Sequence, residues 1–309
     1  MAYYLSEINE RCRKDAAAYV AECNALYQQR LEEAADCIVS NYLRSPIVLL
    51  SGPSGSGKTT TSKKISEVLA KRGITTHYVA MDDYFITVGE TTPRLPDGGY
   101  DLESPLCMDM ELLNEHFSRL SRGEKIFVPS YDFTTQSRDP VKGHELQLKE
   151  DEIVVFEGIH ALNDSITAVH PEAFKLYISA KSDILDDKGR VIFKREWMRL
   201  MRRTIRDYLF RGTDAAETLS RWASVCRGEE LYITPVMDKA DMQFDSSFAY
   251  EVPMMNNTVT DQFNALPADT PRYEELVSIL PAFELFEDIP VDLLPKDAML
   301  REFLGGGIY

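Results

Sequence analysis

Cysteine is sparse and poorly placed for bridging. The 309 residues hold five, Cys12, Cys23, Cys37, Cys107 and Cys226, an odd number with no C-x-x-C pair. A disulfide framework and a zinc ribbon are therefore excluded as organising devices, and the thiols read as reduced, as in a cytoplasmic protein. The histidines, His77, His116, His144, His160 and His170, form no H-x-x-x-H pattern. No apolar run approaches the length of a spanning helix, and Met1-Ala2-Tyr3-Tyr4-Leu5-Ser6-Glu7 has no basic start followed by an apolar stretch, so neither a membrane anchor nor an export signal is read. Positive charge is short as well. With 34 Lys and Arg against 50 acids, a net of −16, gripping nucleic acid or an anionic membrane is not the expected task.

Glycine and proline are missing altogether from Ser6 to Tyr42. There Leu5, Ile8, Cys12, Ala16, Tyr19, Cys23, Leu26, Ala34 and Ile38 recur at helical spacing, which predicts one long amphipathic helix. Its stripe is expected to pack on the body of the protein; a coiled coil joining two copies into a homo-oligomer is the alternative. Ser45-Pro46 ends the helix. Three regions follow from this reading: 1–45 for the helix, 46–250 for the main domain, and 251–309 for a C-terminal appendage.

The main domain starts with an apolar run, Ile47 to Leu50, that breaks into Gly52-Pro53-Ser54-Gly55-Ser56-Gly57-Lys58-Thr59 and then a helix-forming segment. This is the G-x-x-x-x-G-K-[ST] pattern between strand and helix, in which backbone N–H groups cradle phosphates. Gly52, Ser54, Gly55, Ser56, Gly57, Lys58, Thr59 and Thr60 are the expected nucleotide contacts, with Lys58 on the β- and γ-phosphates and Thr59 on Mg²⁺. Further strands are predicted at 74–80, 126–129, 152–158 and 174–179, with a last strand or edge at 240–245, alternating with helices. The fold class is therefore α/β, a doubly wound parallel sheet of P-loop NTPase type.

Two carboxylates, Asp82 and Asp83, follow the second strand, where an open parallel sheet keeps its chemistry. The 152–158 strand ends in Glu157 and Gly158 beside the phosphate loop, and Glu157 is placed to serve a metal, directly or through water. Residues 130–138, polar and aromatic without periodicity, read as a binding loop. Lys188 to Arg211 carries nine basic residues against two acids. Arg199, Arg202, Arg203 and Arg206, three and four apart, put guanidinia on one helix face, which reads as a phosphate clamp or lid. By contrast, Asp238 to Glu302 carries fourteen acids and four bases. This is the acidic appendage, expected to wrap over the domain as helices and turns.

A phosphate loop alone indicates only a nucleoside triphosphate. No N-K-x-D or L-S-G-G-Q signature is present, and an arginine-rich lid fits a kinase of a small acceptor. The segments Gly52–Thr59, Met81-Asp-Asp-Tyr-Phe85, Pro129-Ser-Tyr-Asp-Phe-Thr-Thr-Gln-Ser-Arg138, Val155-Phe-Glu-Gly-Ile159 and Arg202-Arg-Thr-Ile-Arg-Asp207 together resemble, in order and spacing, the uridine kinase branch of the phosphoribulokinase/uridine kinase family. Two further segments, 221–230 and 300–306, resemble the kinase part of bacterial TGS-containing uridine-kinase-like proteins. The resemblance implies ATP as donor, Mg²⁺ as cofactor and a nucleoside as small-molecule partner, as in pyrimidine salvage. It implies Asp82 as the base on the acceptor 5′-hydroxyl, Asp101 on the ribose hydroxyls and Tyr131 on the nucleobase. It gives Thr59, Glu157 and Asp82 to the metal, and Arg203, Arg206 and Arg211 to the phosphates, with Arg203 also reaching the substrate. Two positions depart from the pattern. Gln136 stands where the family reads the base with histidine, and Thr213 stands where the lid has a second basic residue.

Overall fold

With no glycine or proline in it, Leu5–Tyr42 (α1) is helical on both sides of a single break and follows a two-residue strand, Tyr3–Tyr4 (β1), in the computed structural model, which describes residues 2–95 and 98–309. The expected continuous helix is nonetheless broken at Asp15, which leaves helical geometry (φ −166°, ψ 92°). Its carboxylate accepts the Ala18 amide at 2.9 Å, as an N-cap does, and starts a second segment. The break shifts the apolar stripe: Val20, Tyr27 and Leu31 are buried, whereas Leu26 is half exposed. That stripe lies in one core with the sheet and helices of the same chain.

The chain continues through Ile47–Ser51 (β2), Lys58–Lys71 (α2), Thr75–Ala80 (β3), Met110–Ser121 (α3), Ile126–Asp132 (β4), Ser137–Leu146 (β5), Glu152–Glu157 (β6), Asp164–Thr167 (α4) and Phe174–Ser179 (β7). It is completed by Ile184–Leu185 (β8), Val191–Phe193 (β9), Arg195–Arg211 (α5), Ala215–Gly228 (α6), Met242–Asp245 (β10), Glu251–Asn264 (α7), Tyr273–Phe283 (α8) and Arg301–Leu304 (α9). Five strands form a parallel sheet in the order β10-β7-β2-β6-β3. Every residue of β2 and β7 is buried, as largely apolar strands covered on both faces are, and Lys175 within β7 is accommodated by donating to the Pro171 and Ala173 carbonyls. The chain leaves β2 for one side of the sheet and later returns to build the other. The crevice at the carboxyl end of β2 is therefore the switch point where open α/β sheets bind ligands.

The strand-then-loop reading of 126–138 is corrected. Strands β4 and β5 form an antiparallel hairpin apart from the central sheet. Its outer half is solvated, which removes the apolar alternation that would have marked it. Arg138 ties it down by donating to Asp109 Oδ2 and to the Tyr84 carbonyl, both at 2.9 Å. A small sheet of β1, β8 and β9 was also unforeseen, since two- and three-residue strands leave no periodic trace.

Residues 251–309 share the main core: Met254, Met255, Phe263, Ile279, Met299, Leu300 and Phe303 pack in one cluster with β2, β7 and α1. The junction is a buried ion pair. Arg202 donates from Nε and Nη2 to Glu251 at 2.7 and 2.8 Å, and both side chains are fully buried. Glu251→Ala strands that guanidinium in the core and is expected to cost about 3–5 kcal/mol. A fall in the urea unfolding midpoint checks it, and a loss below about 1 kcal/mol would contradict the role given to the pair.

Candidate active site

Strand β2 delivers the loop 52–57 to the edge of the sheet, and helix α2 begins at Lys58 with Gly57 in the left-handed region (φ 79°). Gly52 has no room for a side chain, since a Cβ there would lie 1.9 Å from the Ile178 carbonyl oxygen. Outside the loop, Arg202 Nη1 donates to the Gly55 carbonyl at 3.1 Å and Ser246 Oγ to the Ser56 carbonyl at 2.6 Å. Tying the Ser56 carbonyl outward turns the Gly57 N–H of the same planar peptide the opposite way, the polarity a phosphate needs, while the Ser56 N–H is taken by the Pro53 carbonyl at 3.3 Å.

Lys58 Nζ donates to the Pro53 carbonyl at 3.3 Å and stands 3.7 Å from Glu157 Oε1. The other Glu157 oxygen accepts from the Tyr78 hydroxyl, which also neighbours Thr59. Asp82 sits in a 3₁₀ turn, 81–84, directly after β3. Its carboxyl is open to water on the crevice side yet crowded by protein, and burial, followed by the Glu157 charge, pushes its pKa up to about 6, with Lys58 pulling the other way. Asp83 differs in kind. Its Oδ1 accepts the Tyr131 amide at 3.2 Å and holds the hairpin. Among the described residues no cluster of three or more His, Cys, Asp or Glu could cage a metal. Mg²⁺ needs no such cage: it takes one or two carboxylates and completes its shell with phosphate and water, so the oxygen donors of Thr59, Glu157 and Asp82 suit it chemically.

The arginine face requires a correction. Arg202 is spoken for in the core, and Arg199, also buried, is paired through both terminal nitrogens with Glu229. Neither is available to a clamp, because distant carboxylates capture them. Arg203 donates to Ser54 Oγ at 2.9 Å. With Arg206 and Arg211 it converges on one buried carboxylate, Asp207, at 3.2, 2.9 and 3.4 Å. Three guanidinia around one carboxylate leave positive charge unbalanced beside the loop. Asp207 was quoted in the motif without a role; its i,i+4 spacing to Arg203 and Arg211 was the signal for one.

Beyond Ser54 the crevice opens into a cleft of about 270 Å³ that Asp82, Arg203, Tyr131 and Gln136 all line. Phe85, Tyr131 and Phe133 stand ring to ring there, with centroids 5.1 to 6.4 Å apart. Gln136 occupies the hairpin turn at φ 52°. Asp101 does not line the cleft. It is buried behind it, where Oδ2 accepts from Tyr232 at 2.9 Å and from Arg227 at 3.2 Å, while Oδ1 has no hydrogen-bond partner among the described residues. Glu103, which sequence reasoning missed, does line it, and burial raises its pKa.

Residues 47–252 match the model of the phosphoribulokinase/uridine kinase family. The chain belongs to that family. A uridine kinase of Staphylococcus aureus is 28% identical over 199 residues, which cover 63% of this chain and 85% of that protein. Among solved structures, one described as a possible uridine kinase from Bacillus stearothermophilus aligns over 64% of this chain and 88% of its own, at 19% identity and a TM-score of 0.41. A D-glycerate 3-kinase from Cryptococcus neoformans aligns over 86% and 90%, at 16% identity and a TM-score of 0.34. Members of the phosphoribulokinase/uridine kinase family are kinases, so phosphoryl transfer is the coarse activity. Among the described residues no helix is long and apolar enough to cross a membrane.

In this kinase family setting, Asp82 carries a cost that stability measurements detect. A folded-state pKa near 6 against an ordinary 3.8 disfavours the carboxylate in the fold, so the penalty is absent below about pH 4, grows from there to pH 6 and persists above it. Because the group is open to solvent, which screens it, that penalty amounts to about 1 kcal/mol. Asp82→Asn is therefore expected to melt higher than the wild type at pH 7.5, and the gain should vanish near pH 4. Equal melting temperatures at both pH values would contradict the shift.

Proposed function

We propose that the chain is an ATP-dependent nucleoside kinase that transfers the γ-phosphoryl group, with Mg²⁺, to the 5′-hydroxyl of a ribonucleoside, uridine or cytidine first. One observation carries the reading: a carboxylate of raised pKa, Asp82, shares a single cleft with the phosphate loop's Ser54, with Arg203 and with a three-ring aromatic wall. Phosphoryl transfer asks for positioning and charge neutralisation more than covalent help. Lys58 and the loop amides take the polyphosphate, Arg203, Arg206 and Arg211 its developing charge, and Asp82 the hydroxyl proton. Thr59, Glu157 and Asp82 supply the oxygens for Mg²⁺, whose contribution when bound is to neutralise phosphate charge. The rings suit a flat base, and Tyr131 and Gln136 offer it polar edges. A ribose diol would meet one carboxylate on the cleft wall, Glu103, while Asp101 and its unpartnered Oδ1 lie buried behind that wall. Free cysteines throughout the described residues fit a cytoplasmic setting.

The engagement of Asp101 by Arg227 and Tyr232 favours a second reading, a different small alcohol such as a sugar, glycerate or pantothenate. A nucleotide sensor with a vestigial site is disfavoured, because a sensor has no use for a carboxylate held at a cost opposite the loop.

A base with a pKa near 6 must be ionised to work, so kcat/KM should fall as pH drops through about 6 and hold above it. Asp82→Asn should lower kcat by about 10²–10⁴ and erase that acid limb, whereas Asp83→Asn, which keeps an acceptor for the Tyr131 amide, should change kcat by less than about tenfold. An intact limb and rate in Asp82→Asn would remove Asp82 from the chemistry.

A further inference from the structure

The first amides of α2 are the donors a polyphosphate needs, since the opening turn of a helix has no internal acceptors for them. Thr61 is already satisfied by the Gly57 carbonyl at 3.0 Å. Thr60 is satisfied too, but by a residue 242 positions away: Glu302 Oε2 accepts its amide at 3.1 Å. A carboxylate thus sits on the mouth of the phosphate loop. It carries the sign of charge that a phosphate oxygen carries and uses the same donor and the same helix field.

The segment that brings Glu302 there is firmly seated. Met299, Leu300 and Phe303 are fully buried. The Met299 sulfur lies 2.5 Å from where a Cβ on Gly57 would stand, so the chain presses directly on the loop. Lys64 Nζ donates to the Asp297 carbonyl at 2.7 Å and to its carboxylate at 3.0 Å, and the Tyr309 hydroxyl donates to Glu67 at 2.8 Å. The Arg202 guanidinium lies 5.4 Å from the Phe303 ring centre. The backbone of 295–309 is therefore bolted to α2 and α5, and the Glu302 side chain is the part free to turn.

We propose that Glu302 is a built-in competitor of the donor nucleotide, occupying a phosphate seat at Thr60 in the resting protein and yielding it only when a triphosphate enters. The inference rests on the donor reading above and deepens it. A phosphate oxygen and the carboxylate cannot both take the Thr60 amide. Once displaced, the carboxylate stays tethered near the incoming charge and close enough to Arg211 to bear on its ionisation, so it continues to oppose the donor. Donor affinity is then set below what the loop alone would give, by the fraction of time the seat is free. The ligand class is a nucleoside triphosphate or any polyphosphate that reaches the first turn of α2.

Calorimetric titration of Mg·ATP into the 309-residue wild type, Glu302→Gln and Glu302→Ala tests this, with a melting curve for each protein. Removing the charge should tighten ATP binding by about 5-fold or more, the lower range of coupling between competing sites. Glu302→Gln keeps an acceptor for Thr60 and should fall between wild type and Glu302→Ala. ATP binding by the variants alone would support the strongest form, a seat held shut. Equal or weaker binding in both variants, with wild type binding normally, would overturn the proposal while leaving the donor reading in place; that is the result expected of a helix cap that only stabilises α2. No binding by any of the three would overturn both.

Discussion

A fully buried guanidinium–carboxylate pair holds this molecule's working parts together. Such pairs are costly to desolvate and persist where every polar atom is engaged. Here Arg202 reaches Glu251, the Ser246 carbonyl and the Gly55 carbonyl, while Glu251 also accepts the Phe248 amide. One side chain therefore joins the phosphate loop, the turn after β10 and the first turn of α7. Because helical neighbours point about 100° apart, anchoring Arg202 inward turns the next residue, Arg203, toward Ser54 and the crevice. The catalytic reading of α5 depends on that anchoring, since the same helix supplies both the bolt and the clamp.

Charge is distributed against the chain's overall sign. A protein of net −16 collects Lys58, Arg203, Arg206 and Arg211 around one crevice, where they meet the acids Asp82, Glu103, Glu157, Asp207 and Glu302. Such a concentration of bases would give a polyphosphate partners on a surface whose net charge otherwise repels it. The raised pKa of Asp82 has its place here too: burial is the main cause and the neighbouring Glu157 charge adds to it, with Lys58 opposing both. The acidic C-terminal region enters this field through Glu302, which makes it part of the site rather than a solvated covering.

What could be read from the residues was whatever is encoded locally. The strand, glycine loop and helix around Gly52–Thr59 were legible because each piece has a short-range physical reason, and the buried strands because four to six apolar residues in a row have few other uses. Partnerships across the fold were not legible. Arg199, Arg202, Arg203 and Arg206 look alike in sequence, yet Glu229 and Glu251, 30 and 49 residues away, withdraw the first two from the surface. The hairpin of β4 and β5 lacked periodicity because water covers much of it, and the break at Asp15 hid in a segment whose composition is uniformly helical. Glu103 escaped notice for a similar reason: a lone glutamate in a proline-rich loop gives no sign that a cleft will form around it. Asp101, carried over from a family pattern, landed behind the cleft wall instead of on it.

The account stands or falls on what the cleft phosphorylates. Incubating the 309-residue protein with Mg·ATP and a panel of uridine, cytidine, 2′-deoxyuridine, purine nucleosides, sugars, glycerate and pantothenate, and identifying products by mass, addresses that directly. The account predicts ADP together with the 5′-monophosphate of a pyrimidine ribonucleoside, formed faster than that of its 2′-deoxy counterpart. Phosphorylation of a non-nucleoside alcohol alone would contradict the assigned acceptor, and ADP formation without any phosphorylated acceptor would contradict the kinase chemistry of the cleft itself.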